Sequence, residues 1–117
     1  FLDRMKELII TGGINISPVE LESTIGALDG VSEVAVIAAA DPRFGETPAA
    51  IVTVAAGAVL DEQAVVAHCA TLLADYKVPR YVVLRPTPLP RLPSGKLDRS
   101  AIRGEYQDIP ERFGKVR

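Results

Sequence analysis

The residues best suited to chemistry lie in a turn near the end of the sequence, residues 92–99, which presents Lys96. Pro93 fixes its own φ and Gly95 permits a positive φ, so these two residues predict a tight turn. A lysine in such a turn is a mobile positive charge with three hydrogen-bond donors, which suits an oxyanion or a phosphate. Asp98 follows and is placed to cap a short helix. An ordinary surface lysine is the alternative interpretation, and the turn alone does not decide between the two.

Other candidates for catalysis are few. The one histidine, His68, lies within a predicted helix, and we expect it to be structural or solvent-facing. The one cysteine, Cys69, excludes an internal disulfide and a cysteine-based zinc cluster, and no metal site is predicted. The turn that holds Lys96 is not a P-loop, because Pro90 stands where that motif has its first glycine and Leu97 where it has Ser or Thr. No nucleophile–base pair is evident either.

Composition predicts one ordinary globular domain. The chain has 117 residues, of which 48% are hydrophobic and 24% charged. A net charge of −2 does not favour binding to nucleic acid, and no apolar run approaches the roughly 20 residues of a membrane span. These features favour a cytoplasmic protein. The chain begins at Phe1 without a methionine, so we expect it to be a piece of a longer protein.

The first third of the chain predicts a hairpin and a helix. Apolar triplets flank Gly12 and Gly13, a pattern typical of a β-hairpin with a two-residue turn. Ser17 then stands at an N-cap position, Pro18 at the first helical position, and Glu20 where it would close a capping box. We expect this helix to end near residue 28.

The rest of the chain predicts strands and helices that complete an α+β domain. Residues 34–37 and 50–54 are strand candidates, and the short loop between them favours antiparallel pairing. Asp61 begins a predicted helix through about residue 75, and a third strand follows at 81–84. The predicted fold is an N-terminal β-hairpin followed by a small mixed three-stranded sheet with helices packed on it.

Four segments resemble, in order and spacing, the motifs of the C-terminal domain of adenylate-forming enzymes. This superfamily comprises acyl-CoA synthetases, peptide-synthetase adenylation domains and luciferase, and the first motif is most similar to an acyl-CoA synthetase. The resemblance implies two parts: residues 1–6 as the linker and hinge remnant from a missing N-terminal domain, and 7–104 as the mobile C-terminal domain. The polar composition of residues 105–117 predicts a loose tail. The four matching segments are residues 3–22, 41–46, 76–80 and 89–99.

The resemblance implies a reaction in two steps. A carboxylate attacks the α-phosphate of ATP with its Mg²⁺, which gives acyl-AMP and pyrophosphate. The C-terminal domain then rotates against the N-terminal domain, and the thiol of CoA attacks the acyl-AMP. ATP, Mg²⁺ and CoA would be bound mainly with the missing N-terminal domain, which is also the expected partner of this chain. The isolated domain is therefore expected to be inactive.

The resemblance also implies roles for particular residues. Lys96 matches the lysine that enters the active site for the first step. Lys6 stands at the hinge position, where its backbone dihedrals would absorb the rotation. Asp3 and Arg4 resemble linker residues that meet the ribose of the nucleotide.

A second set of residues matches the face that receives CoA. Gly12 and Gly13 fall in the loop that lines the pantetheine tunnel, where missing side chains allow close approach. Phe44 and Tyr76 fall where related ligases place aromatic rings against the adenine of CoA, and Arg80 where some place a cation near its phosphates. The alternative for Phe44 and Tyr76 is a place in the hydrophobic core.

Two other functions remain open from the sequence. One is an adenylation domain that loads a carrier-protein thiol instead of CoA, which the identity of the neighbouring domain and of the acceptor would distinguish. The other is a non-enzymatic interaction module, which a start codon close to Phe1 would favour.

Overall fold

The computed structural model describes residues 8–117, so Asp3, Arg4 and Lys6 lie outside the described residues. Strands and helices alternate irregularly along this part of the chain, with one short 3₁₀ helix after the longest α-helix. The elements are β1 (Ile9–Thr11), β2 (Ile14–Ile16), α1 (Pro18–Gly26), β3 (Val31–Asp41), β4 (Gly45–Val54), α2 (Glu62–Leu72), the 3₁₀ helix (Asp75–Lys77), β5 (Tyr81–Arg85), α3 (Arg99–Glu105) and α4 (Ile109–Arg112).

The five strands form one mixed sheet around β4. Strand β3 pairs antiparallel with β4 along its length, and β5 pairs parallel with β4. The parallel pairing requires a crossover, which the segment containing α2 provides. The predicted mixed three-stranded sheet and the predicted hairpin β1–β2 are both confirmed. The hairpin is an extension of the same sheet, because Thr11 of β1 pairs with Gly45 of β4.

The sheet is covered on both faces. One hydrophobic core packs it against α1 and α2, and a second core packs the opposite face against α3 and α4. Val36 belongs to the first core, whereas Ala35 and Ile37 belong to the second, because successive side chains of a strand point to opposite faces. The uninterrupted apolar run at residues 34–37 follows from this two-sided burial.

The helix starts are mostly as predicted, with one correction. Ser17 is the N-cap of α1 and Pro18 is its first residue, but the Ser17 side chain makes no capping hydrogen bond. The capping box is therefore wrong, and Glu20 instead forms an ion pair with Lys77, whose Nζ lies 2.9 Å from its Oε1. Asp61 caps α2 as predicted and accepts a hydrogen bond from a backbone N–H at 2.8 Å.

The last segment differs from the loose tail expected from its polar composition. Tyr106 and Ile109 are buried in the second core, and Phe113 packs against the same core. The three side chains are spaced three and four residues apart, so one side of the chain can present all of them to the sheet. The average polarity of residues 105–117 does not reflect the spacing of their apolar side chains, so composition did not predict that this segment packs against the sheet.

Candidate functional site

Lys96 is exposed on a tight hairpin-like turn. The Leu92 N–H donates to the Lys96 carbonyl and the Gly95 N–H donates to the Leu92 carbonyl, both at 2.8 Å. Gly95 has a φ of 92°, a conformation that other L-residues rarely adopt, which explains the glycine immediately before the lysine. Pro93 occupies the turn position that its fixed φ suits. Among the described residues, no ion pair or hydrogen bond involves the Lys96 side chain, so its charge is available to a ligand.

The turn is attached to the sheet through Glu33 at the beginning of β3. One Glu33 carboxylate oxygen accepts the Leu89 N–H at 2.8 Å, and the other accepts from the guanidinium of Arg91. Arg91 also donates from Nη1 to the Gly95 carbonyl at 2.7 Å. The Leu89 N–H, and then Arg91, lower the pKa of the Glu33 carboxyl below its usual value. An anionic Glu33 thus orients Arg91, which in turn holds the residue that precedes Lys96.

A second ion pair attaches the other side of the turn to α1. Arg99, the first residue of α3, donates to both carboxylate oxygens of Glu22 at 2.7 and 2.5 Å. Glu22 also accepts the Val36 N–H at 2.8 Å. As predicted, Asp98 caps α3 by accepting the Ala101 N–H at 3.1 Å. Lys96 is therefore an exposed side chain on a backbone held from both sides.

A different loop, between β3 and β4, carries Phe44. The buried Asp41 ends β3, and its Oδ1 accepts the N–H groups of Arg43 and Phe44 at 2.8 and 2.9 Å. Lys115 lies against its other oxygen, with 2.9 Å between Nζ and Oδ2. The Lys115 ammonium, followed by the Phe44 N–H, lowers the pKa of Asp41 to about 2. Asp41 is thus an anion that fixes the backbone beneath the Phe44 ring.

Three of the residues expected to face CoA meet around this ring. The guanidinium carbon atoms of Arg43 and Arg80 each lie 5.1 Å from the Phe44 ring centroid, a distance typical of cation–π contacts. The Gly12 N–H donates to the Phe44 carbonyl at 2.8 Å, and a Cβ at Gly12 would lie 3.6 Å from the ring. Phe44 is half-buried and lies outside both cores. The arrangement offers a planar ring and two cations to a ligand.

The other two residues expected to face CoA, Gly13 and Tyr76, both lie at the surface. Gly13 is exposed and adopts a φ of 84° in the β1–β2 turn. Tyr76 lies on the 3₁₀ helix with 40% of its surface exposed, so it does not belong to the core. The Lys77 ammonium lies 5.8 Å from its ring centroid. In the part of the chain that the structure describes, no ring contact joins Tyr76 to Phe44.

The remaining candidates have structural roles. His68 Nε2 lies 2.8 Å from the Thr24 carbonyl, so the ring links α2 to α1. Burial raises the pKa of the Cys69 thiol to about 11, which leaves it protonated and unreactive at neutral pH. Within residues 8–117, no three His, Cys, Asp or Glu side chains converge so as to hold a metal ion.

Comparison with known proteins identifies the domain. A family model described as the AMP-binding enzyme C-terminal domain matches residues 20–96. The chain belongs to this family. The resemblance stated from the four motifs is therefore confirmed. The matched segment contains the Phe44 loop and ends at Lys96. No helix among the described residues is long and apolar enough to cross a membrane.

Curated relatives of this AMP-binding C-terminal domain include CoA ligases. The long-chain-fatty-acid–CoA ligase FadD13 of Mycobacterium tuberculosis is 46% identical over 104 residues, which cover 89% of this chain and 20% of that protein. The 2-succinylbenzoate–CoA ligase of Listeria innocua is 37% identical over 107 residues, which cover 92% of this chain and 22% of that protein. ATP-bound MatB from Rhodopseudomonas palustris matches with a TM-score of 0.84 and 40% identity over 90% of this chain and 21% of that one. The chain spans about a fifth of the length of the curated relatives it matches.

Sequence reasoning missed the residues that hold the two loops. Glu33, Arg91 and Lys115 are ordinary charged residues in the sequence, and their partners lie tens of residues away. The anionic Asp41 had only a weak signal, a strand-ending aspartate followed by proline, which favours a side chain that bonds to its own turn.

Proposed function

We propose that the chain is the C-terminal domain of an ATP-dependent acyl-CoA synthetase, which forms acyl-AMP and then acyl-CoA. The observation that carries the proposal is the placement of two loops on one strand. Glu33 anchors the Lys96 turn near the beginning of β3, and Asp41 anchors the Phe44 loop at its end. At a rise of about 3.3 Å per residue, the two anchors are roughly 26 Å apart. One rigid domain with two separated sites suits an enzyme whose C-terminal domain rotates to bring first one site and then the other to the substrates.

Lys96 is proposed to act in the first step. Attack of a carboxylate on the α-phosphate of ATP places developing negative charge on the phosphate oxygens. An ammonium group at that position stabilises the transition state more than the ground state. The exposure of Lys96 and its freedom from partners among the described residues support this role, because no existing ion pair must break before the ammonium group binds a phosphate.

The Phe44 cluster is proposed to act in the second step. Its aromatic ring would stack on the adenine of CoA, while the Arg80 guanidinium would pair with phosphate oxygens. Gly12 and Gly13 would leave space for the pantetheine arm beside the cluster, with Tyr76 as a further aromatic contact. The half-exposed position of Phe44 and its two neighbouring cations support this assignment.

The substrates would be shared with a larger N-terminal domain. ATP with its Mg²⁺, CoA and the carboxylic acid would bind mainly there, with Asp3 and Arg4 near the ribose and Lys6 as the hinge. The two ligases named above activate different acids, a long-chain fatty acid and 2-succinylbenzoate, although this segment is similar in both. Selection of the acid is therefore proposed to lie outside this chain. The cytoplasm, which supplies both ATP and CoA, is the proposed compartment.

The test uses the full-length enzyme that contains this chain and a panel of carboxylic acids. Pyrophosphate release and CoA-thioester formation are measured separately, beside the Lys96→Ala variant. An acyl-CoA synthetase releases pyrophosphate and makes thioester, and the variant loses the first activity. Pyrophosphate release without CoA thioester would indicate loading of a carrier protein. No ATP-dependent activity with any acid would refute the enzymatic proposal and favour an interaction module.

A further inference from the structure

Residues 115–117 contact the three segments that carry Phe44, Tyr76 and Arg80, the residues proposed to face CoA outside the β1–β2 turn. The Lys115 ammonium pairs with Asp41, the anion beneath Phe44. The Val116 N–H donates to the Arg80 carbonyl at 2.8 Å. Arg117 then reaches the 3₁₀ helix on which Tyr76 lies. We call residues 115–117 the C-terminal clamp.

The contact with Asp41 joins the clamp to a buried anion through an ion pair, and among the described residues Oδ2 accepts no aligned hydrogen bond. The Asp41 side chain is fully buried, and a buried carboxylate is costly unless a cation and hydrogen bonds compensate it. Oδ1 is occupied by the N–H groups of Arg43 and Phe44, so Lys115 supplies the compensating charge at Oδ2. Without that cation, Asp41 would favour hydration or protonation, and either change would loosen the turn beneath the ring.

Arg117 contacts the first residue of the 3₁₀ helix and the residue that follows its end. Its Nη1 donates to the Val78 carbonyl at 2.8 Å, and its Nη2 donates to Asp75 Oδ1 at 2.5 Å. Asp75 is the residue before Tyr76, so the guanidinium fixes the backbone from which that ring projects. The Arg117 side chain is itself mostly covered, whereas that of Asp75 is exposed.

We propose that the C-terminal clamp consists of positioning residues for the CoA step, which act on Phe44, Arg80 and Tyr76 together. The inference rests on the function proposed above. It adds a role for residues 115–117, which the polar composition of this segment did not predict. Within residues 8–117, no hydrogen bond or ion pair joins the clamp to Lys96. Its loss should therefore weaken the use of CoA and leave acyl-AMP formation unchanged.

The experiment compares Lys115→Met with Lys115→Arg in the full-length enzyme. Methionine keeps much of the apolar side chain but removes the charge, and we expect the KM for CoA to rise about tenfold, as a displaced contact surface implies. Pyrophosphate release should stay at the wild-type rate, and arginine should restore the KM. Arg112→Met is the matched control, because it removes a cation three positions earlier. Among the described residues, Arg112 pairs with the exposed Asp108 and contacts the Tyr106 and Phe113 rings, but not the segments that carry the CoA-facing side chains.

Dephospho-CoA distinguishes positioning from direct contact. Lys115 contacts Asp41 beneath the Phe44 ring, whereas Val116 contacts Arg80. A positioning role of Lys115 therefore acts through the ring, and Lys115→Met should raise the KM for CoA and for dephospho-CoA by the same factor. A rise confined to CoA would show that Lys115 binds the 3′-phosphate itself, which would overturn the inference. Arg117→Met provides an independent test, because it leaves the buried Asp41 paired with Lys115. It should also raise the KM for CoA selectively.

Other outcomes overturn the inference in distinguishable ways. If folded Lys115→Met and Arg117→Met enzymes both keep the wild-type KM for CoA, the clamp has no positioning role, although the proposed function stands. If the rates of both half-reactions fall equally, the clamp again has no specific positioning role, since that result indicates a general loss of structure. If the wild-type enzyme makes no CoA thioester, the proposed function fails and this inference fails with it.

Discussion

Glu33 and Asp41 lie on the same face of strand β3, and each fixes one of the two candidate functional loops. Between them, Ala35, Ile37 and Ala39 pack that face into the second core. Glu33 holds the Lys96 turn through Arg91, and Asp41 holds the Phe44 loop through its backbone N–H groups. A single rigid strand therefore determines the spacing of the two loops.

The first prediction concerns Lys96. Lys96→Ala in the full-length enzyme should reduce acyl-AMP formation on the order of 10²–10³-fold, because the charge developing in the transition state loses its cation. Thioester formation from supplied acyl-AMP should be nearly unchanged. Pyrophosphate release and single-turnover thiolysis measure the two steps. Equal losses in both steps would contradict the assigned role.

The second prediction concerns Glu33 as a support of the same turn. Glu33→Gln removes the charge that orients Arg91, and hydrogen bonds to charged groups contribute about 1.5–3 kcal/mol each. Acyl-AMP formation should fall about tenfold through loss of lysine positioning, while the KM for CoA stays constant. Glu105→Gln, which removes an exposed carboxylate 3.3 Å from Arg85, is the control and should have no effect. A wild-type rate for Glu33→Gln would show that the turn keeps its shape without the Glu33 charge.

The third prediction concerns the Phe44 ring. Phe44→Ala should raise the KM for CoA about tenfold, because an aromatic contact contributes roughly 0.5–1.5 kcal/mol beyond the area that it buries. Acyl-AMP formation should be unaffected, and steady-state kinetics at varied CoA concentration test both statements. Phe44→Tyr keeps the ring and should retain most of the affinity. An unchanged KM in Phe44→Ala would remove Phe44 from the CoA site.

The fourth prediction concerns Lys6, which lies outside the described residues. Proline at this position fixes φ and should hold the linker in one conformation. The Lys6→Pro enzyme should keep one half-reaction and lose the other, whereas Lys6→Ala should keep both. The two half-reactions assayed separately give the answer. A proline variant that performs both at normal rates would exclude position 6 as the hinge.

The fifth prediction concerns stability in acid. The pKa of Asp41 is lowered from 3.8 to about 2 in the folded chain, so its contribution to the free energy of unfolding is complete above about pH 3.8. That contribution is lost as the pH falls from there through about 2, because the unfolded carboxyl binds a proton first. Urea unfolding across this range should show a steeper loss in the wild type than in Asp41→Asn. Parallel curves would indicate that the Asp41 carboxyl does not have a lowered pKa in the folded chain.

Local signals determined much of this protein from the sequence alone. The double glycine at positions 12 and 13 specified a two-residue turn, and Pro93 with Gly95 specified the turn that presents Lys96. Asp61 and Asp98 marked helix starts, and the structure confirms both caps. Such features are readable because each depends on the backbone conformation of a few adjacent residues. The four motifs likewise indicated the family through residue types and spacing along the chain.

Tertiary structure alone decided how the two loops are held and where the last segment lies. Glu33 and Arg91 are 58 residues apart in the chain, and nothing in their local sequence pairs them. The burial of Asp41, which makes its contact with Lys115 important, exists only when the sheet and the final segment have packed together. Ion pairs between residues distant in sequence form only when their strands and helices pack together. The local sequence around a charged side chain is the same whether that side chain is paired or solvated. The chemistry of Lys96 could therefore be inferred from the sequence, whereas the supports of Lys96 and Phe44 required the fold.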